Sequence, residues 1–222
     1  ARPVWRRPPR PRVHVAAVSA PERQPAFVLP GSRWRQFRRA LATRSLAALV
    51  CFATAPARAQ DTVSKETAAA VKASFLNDLD GLRTKFIGLA EAFPQDKYSW
   101  RPMDGVRSVS EVLMLAAMEG YTFIPSSFGG KNADMGSPED RAKLRTLTDK
   151  AQIIEHLNKG FAHAKKELES LDASTLTGKR KVMGRDAMVT DIALGIGGDL
   201  HEHLGQMIAY ARMNKIVPPW SK

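Results

Sequence analysis

Asp199 and His203 stand four residues apart in the run Asp199-Leu200-His201-Glu202-His203-Leu204-Gly205-Gln206. On a helix that spacing stacks a carboxylate and an imidazole on one face. Such a pair can supply two ligands to a divalent metal, serve as an acid–base couple, or consist of an aspartate that simply orients a partly buried histidine. Ile196 and Met207 continue the same row, which places both groups at the edge of a buried face. His201 projects roughly 160° away from His203 and cannot share its ligand. His156 and His163 lie seven residues apart, beside an apolar Leu157/Phe161 stripe, and read as boundary or solvent-facing histidines. The single cysteine, Cys51, falls in an arginine-rich leader. The rest of the chain therefore has no thiol for a disulfide framework, a zinc–cysteine site, a nucleophile or a redox motif.

Four stretches of helical periodicity must position the Asp199/His203 pair. The first starts near Ser64 and aligns Val71, Phe75, Leu79, Leu82, Phe86, Leu89 and Phe93 at alternating three- and four-residue steps, up to Pro94. The second opens at Ser108, whose partner Glu111 makes a capping box, and carries Val109, Val112, Leu113 and Ala116 toward Phe123 and Pro125. Residues 126–138 are rich in Gly, Ser and Asn and read as a loop. The third begins after Thr148 with Ile154, Leu157, Phe161, Ala164, Leu168 and Leu171. The fourth begins at about Thr190 and carries Ile192, Ile196, Leu200, His203, Leu204, Met207 and Ala211. No segment alternates with period two for long enough to predict a strand. The expected fold is all-α, an antiparallel four-helix bundle. Gly195, Gly197 and Gly198 lie one turn before the pair, and each costs about 1 kcal/mol relative to alanine inside a helix. A close helix approach, a kink beside a pocket or a later helix start would account for them.

The chain is basic, with 34 Lys+Arg against 22 Asp+Glu, but the excess is local. Residues 1–60 hold twelve arginines and one acid (Glu22), which leaves a net charge of +1 on the remainder. A nearly neutral domain has no electrostatic footprint for a phosphate backbone, so nucleic acid is excluded as an expected partner. Residues 1–59 have the parts of a disordered extension followed by a secretory signal peptide. Arg35, Arg38, Arg39 and Arg44 precede an apolar run from Ser45 to Ala55, and Ala57-Arg58-Ala59 forms a small-x-small site before Gln60. That run is about half the ~20 residues a membrane span requires, so no stable anchor is expected after cleavage. The start of the exported precursor is expected near Val28, with residues 1–27 as a Pro/Arg-rich extension. The expected location is periplasmic or secreted, with the mature domain over residues 60–222, long enough to bury one core.

Three runs carry a resemblance to a known family: Tyr98-Ser-Trp-Arg-Pro102, Ser108-Val-Ser-Glu-Val-Leu-Met-Leu115, and Asp199-Leu-His-Glu-His-Leu-Gly-Gln206 followed by Ile208-Ala-Tyr-Ala-Arg212. Together they resemble the DinB-like (DNA-damage-inducible) four-helix-bundle superfamily, from about residue 65 to Pro218-Pro-Trp-Ser221. The resemblance implies an up-down-down-up bundle and a homodimer. It also implies a divalent metal, nickel or zinc, held between one histidine of the second helix and two ligands one turn apart on the fourth. Characterised relatives include thiol-dependent transferases and metal-dependent hydrolase candidates. His203 matches the last of those ligands and Asp199 the position one turn before it. The second-helix ligand falls at Leu115, which cannot coordinate. Glu119 or Glu111 would have to reach across about 5–6 Å of helix rise to replace it. The expectation is thus an exported binding or structural module with a degenerate, two-ligand metal site; the alternative is a metal-dependent hydrolase or transferase using Asp199 and His203. The small-molecule ligand is unknown.

Overall fold

A computed structural model describes residues 61–221; the expected extension, signal peptide and cleavage site, with Cys51, lie outside the described residues. The described part is mostly helical, as an all-α fold requires. Helix α1 (Lys65–Ala92) starts at Ser64, whose side chain accepts from the Thr67 N–H, and stops at Phe93 just before Pro94. Helix α2 (Val109–Met118) starts in the expected capping box: Ser108 Oγ accepts from Glu111 N–H, and the Glu111 carboxylate accepts from Ser108 N–H. A π-helical turn (Glu119–Phe123) joins it to α3 (Ile124–Phe128). Helices α4 (Pro138–Arg145), α5 (Lys150–Ser170) and α6 (Val189–Met213) complete the set, with a hairpin of β1 (Arg180–Val182) and β2 (Arg185–Ala187) before α6. None of the described helices is long and apolar enough to cross a membrane.

The apolar stripes meet in one core. Helix α1 packs on both α5 and α6, and α2 on both α5 and α6, so α1 and α2 occupy opposite corners. Along α1 the partners on α5 run backwards: Lys72 Nζ donates to the Leu171 carbonyl, Lys165 Nζ to Asp80, Arg83 to Asn158, and Lys150 Nζ to the Phe93 carbonyl. The two lysine bonds to Leu171 and Phe93 also satisfy carbonyls that the ends of α5 and α1 leave without helical partners. Six of the seven residues of the α1 stripe are buried, Val71 being partly so. The Tyr98–Pro102 run is tied at both ends. Tyr98 Oη donates to the Ala90 carbonyl, and Ser110 and Val109 donate their N–H groups to Tyr98 and Trp100 carbonyls.

Four expectations need correcting. On α5 the core residue is Ile153, with Ile154 only partly buried. The stretch after Phe123 is a helix as far as Phe128, and α4 occupies part of what reads as loop. Pro125 sits in the first turn of α3, where a missing N–H is tolerated, and the Tyr121 carbonyl four residues back accepts from Ala133 N–H. Two three-residue strands exist, joined through Met183 and Gly184, both at positive φ (49° and 79°) as a tight hairpin turn requires. They are too short for alternation to reveal them. Helix α6 also runs unbroken through Gly195, Gly197 and Gly198, so a later start is not the reason for those glycines.

Candidate metal centre

Asp199 and His203 lie one turn apart on α6, with Asp199 Oδ2 and His203 Nε2 separated by 3.8 Å. The same imidazole nitrogen lies 3.8 Å from Glu119 Oε1, at the start of the π turn. One ligand atom from each of Glu119, Asp199 and His203 can be chosen so that all lie within 4.8 Å of one another. At 3.8 Å the imidazole is too far from either carboxylate for a hydrogen bond, which needs about 3 Å, yet close enough to share an ion with both. The structure thus adds Glu119 to Asp199 and His203 as a third group that could hold an ion. Leu115 stays apolar and lines an adjoining cavity. Glu119 does not stretch back along the helix to replace it; the packing of α2 on α6 places residue 119 itself beside His203. Glu111 is engaged elsewhere, in the Ser108 cap and an ion pair with Arg101.

The backbone at Glu119 is held by an unusually close crossing. A Cβ on Gly120 would stand 2.5 Å from the Gly160 carbonyl carbon, and one on Gly160 would stand 2.3 Å from Ala117 O. No side chain can occupy either position without backbone movement. The π turn itself is supported by hydroxyls: Thr122 Oγ1 donates to Met118 O, Ser126 Oγ to Thr122 O, and Ser127 Oγ to Phe123 O. Such turns recur at functional sites, because one extra residue re-aims the side chains that follow.

Glu119 is the electrostatic anomaly. It is buried, and its Oε2 has no hydrogen-bond partner. Burial, followed by the neighbouring Asp199 carboxylate, pushes its pKa up to about 8, with Arg107 pulling weakly the other way. A divalent cation would meet the orphaned oxygen, and its charge would neutralise two carboxylates held beside an imidazole. On these grounds the donor set fits a divalent metal.

The remaining candidates lie elsewhere. His201 faces α1, with Nε2 3.0 Å from Asp78 Oδ1, and takes no part in the cluster. His156 bonds Tyr121 Oη through Nδ1, and burial lowers its pKa. His163 Nε2 bonds the Lys131 carbonyl. Of the three glycines, only Gly197 has neighbours at van der Waals distance, Asp78 and Phe75, while Gly195 lines a cavity beside Asp199.

The family model for the DinB superfamily matches residues 78–207, a span that begins in α1 and ends on α6 beyond His203. The chain belongs to the DinB superfamily. No curated protein and no solved structure matches it. The match to the superfamily covers Glu119, Asp199 and His203 of this DinB-superfamily protein.

Proposed function

We propose that this DinB-superfamily protein is an exported, metal-dependent hydrolase whose divalent ion is held by Glu119, Asp199 and His203. The observation that carries the reading is the buried Glu119 carboxylate, aimed at His203 with one oxygen unpartnered. Three protein ligands are the usual complement of a catalytic zinc site, whereas structural sites use four. When bound, the ion supplies Lewis acidity, polarising a carbonyl or phosphoryl oxygen and activating water.

The chain's own residues supply the rest. Glu119 and Asp199 bring the negative charge that holds a cation, and His203 adds a nitrogen donor that favours zinc or nickel over magnesium or calcium. Glu119 also lines two cavities, of about 560 and 870 Å³, both within the range of small-molecule sites. A bond to be cleaved can therefore lie beside the cluster with a group on either side of it. The leader supports a periplasmic or secreted location, where low-molecular-weight thiols are poor substrates. For that reason hydrolysis is preferred over thiol transfer.

Elemental analysis of the purified protein after incubation with zinc or nickel, and desalting, tests the reading. The wild type is expected to retain close to one equivalent, and Glu119→Gln and His203→Ala to retain little. Metal retained equally by wild type and both variants would overturn the assignment, as would a wild type that retains none.

A further inference from the structure

The two cavities that share Glu119 differ in charge. The 870 Å³ cavity, roofed by the β1–β2 hairpin, is lined by Asp186, Asp191 and Asp199 as well as Glu119, against one cation, Arg185. The 560 Å³ cavity on the α2 side is lined by Arg101, Arg107 and Arg145 against Glu111 and Glu119, with apolar residues that include Leu115 and Met118. The arginines come from two separate pieces of chain: the loop before α2 brings Arg101 and Arg107, and the last turn of α4 brings Arg145.

Their engagements differ as well. Arg101 is committed to the Val106 carbonyl and to Glu111. Arg107 and Arg145 have no carboxylate within ion-pair distance among the described residues, although both face a cavity that also holds Glu119. Arg107 acts on the charge of Glu119 from nearby. A guanidinium presents a planar fork of donors that matches a carboxylate or phosphate, and two of them lining one cavity favour an anion over a neutral or cationic group.

We infer that the 560 Å³ cavity seats the anionic end of the substrate, a carboxylate or phosphate on an apolar body, between Arg107 and Arg145. The bond to be cleaved then lies toward Glu119, and the remainder of the substrate extends under the hairpin. This deepens the hydrolase reading and rests on it for the reaction, but the anion's binding does not depend on the metal.

Calorimetric titration of the purified protein, stripped of metal with a chelator, separates the two. The probes are phenyl phosphate, phenylacetate and the neutral benzyl alcohol. At least one anion is expected to bind about tenfold or more tighter than the alcohol, a difference one charge-assisted contact can supply. Arg107→Gln and Arg145→Gln are each expected to weaken that anion by about tenfold, whereas Arg107→Lys, which keeps the charge and loses the fork, retains only part of the preference. Both arginines are exposed, so the fold should survive, and unchanged circular dichroism checks this. Whichever anion binds tighter identifies the head group. Equal binding of anion and alcohol, or anion binding unchanged in the Arg107→Gln/Arg145→Gln double variant, would overturn the inference. Anion binding by a protein that retains no zinc or nickel would leave it standing and remove the metal reading instead.

Discussion

Gly160→Ala is expected to lower the stability of the protein by about 3 kcal/mol, near the upper end for adding a single methyl group. The methyl would meet the Ala117 carbonyl oxygen at 2.3 Å, and that neighbour is backbone, with no flexible side chain to swing aside. Relief would require α2 and α5 to separate, and their crossing lies beside Glu119, the third residue of the proposed centre. The same variant should therefore also lose metal affinity, although residue 160 touches no ligand. Gly81→Ala is the contrast. That glycine sits in α1 with nothing within 4 Å of its missing Cβ, so the change should stabilise by up to about 1 kcal/mol through helix propensity alone. Urea unfolding of the two variants checks the pair; effects of the same sign would contradict the crossing described for Gly120 and Gly160.

Glu119 should make the metal-free protein less stable as the pH rises. Its carboxyl is held at about 8 in the fold against an ordinary value of 4.5. Between those values the native state keeps a proton that the unfolded chain has released. The stabilisation is whole below about pH 4.5, declines as pH rises toward 8, and is gone above it. Each unit of displacement corresponds to about 1.4 kcal/mol, so the total change is on the order of a few kcal/mol. Glu119→Gln, which mimics the protonated acid, should flatten this slope and leave the metal-free protein more stable than wild type at pH 8. The same substitution should remove metal binding. In the wild type, the affinity for zinc should rise by up to about tenfold per pH unit in this window, because the ion displaces the proton. Denaturation of the metal-free protein across pH 5–9, with and without the substitution, measures the effect. A wild-type profile that rises with pH, or one unaltered in Glu119→Gln, would contradict it.

What the sequence reveals about this fold is what local geometry determines. The α1 stripe and the Ser108/Glu111 cap follow from spacing and capping within a single segment, and both are found in place. Phase on α5 is a closer contest. Ile154 fits the 157/161/164/168 stripe as well as Ile153 does. The tie is decided by the crossing at Gly160, which turns the face of Ile153, Leu157, Gly160 and Ala164 inward. Helix α4 escapes periodicity because it buries no residue, although Ser137 and Asp140 carry its capping signal. The Asp199/His203 half of the site is legible because i,i+4 spacing is a property of one helix. Glu119 is not, since its place beside His203 depends on how far along α6 the second helix packs, a tertiary fact with no signature in the spacing of either. Gly120 and Pro125 around the π turn are the nearest thing to a signal.

The most direct test of the three-ligand centre is anomalous diffraction at the zinc or nickel absorption edge, from crystals of the metal-loaded protein. One strong peak is expected within coordination distance of Glu119, Asp199 and His203 together. Metal found instead at the exposed His201–Asp78 pair, or bound by Asp199 and His203 with the Glu119 carboxyl turned away, would contradict it.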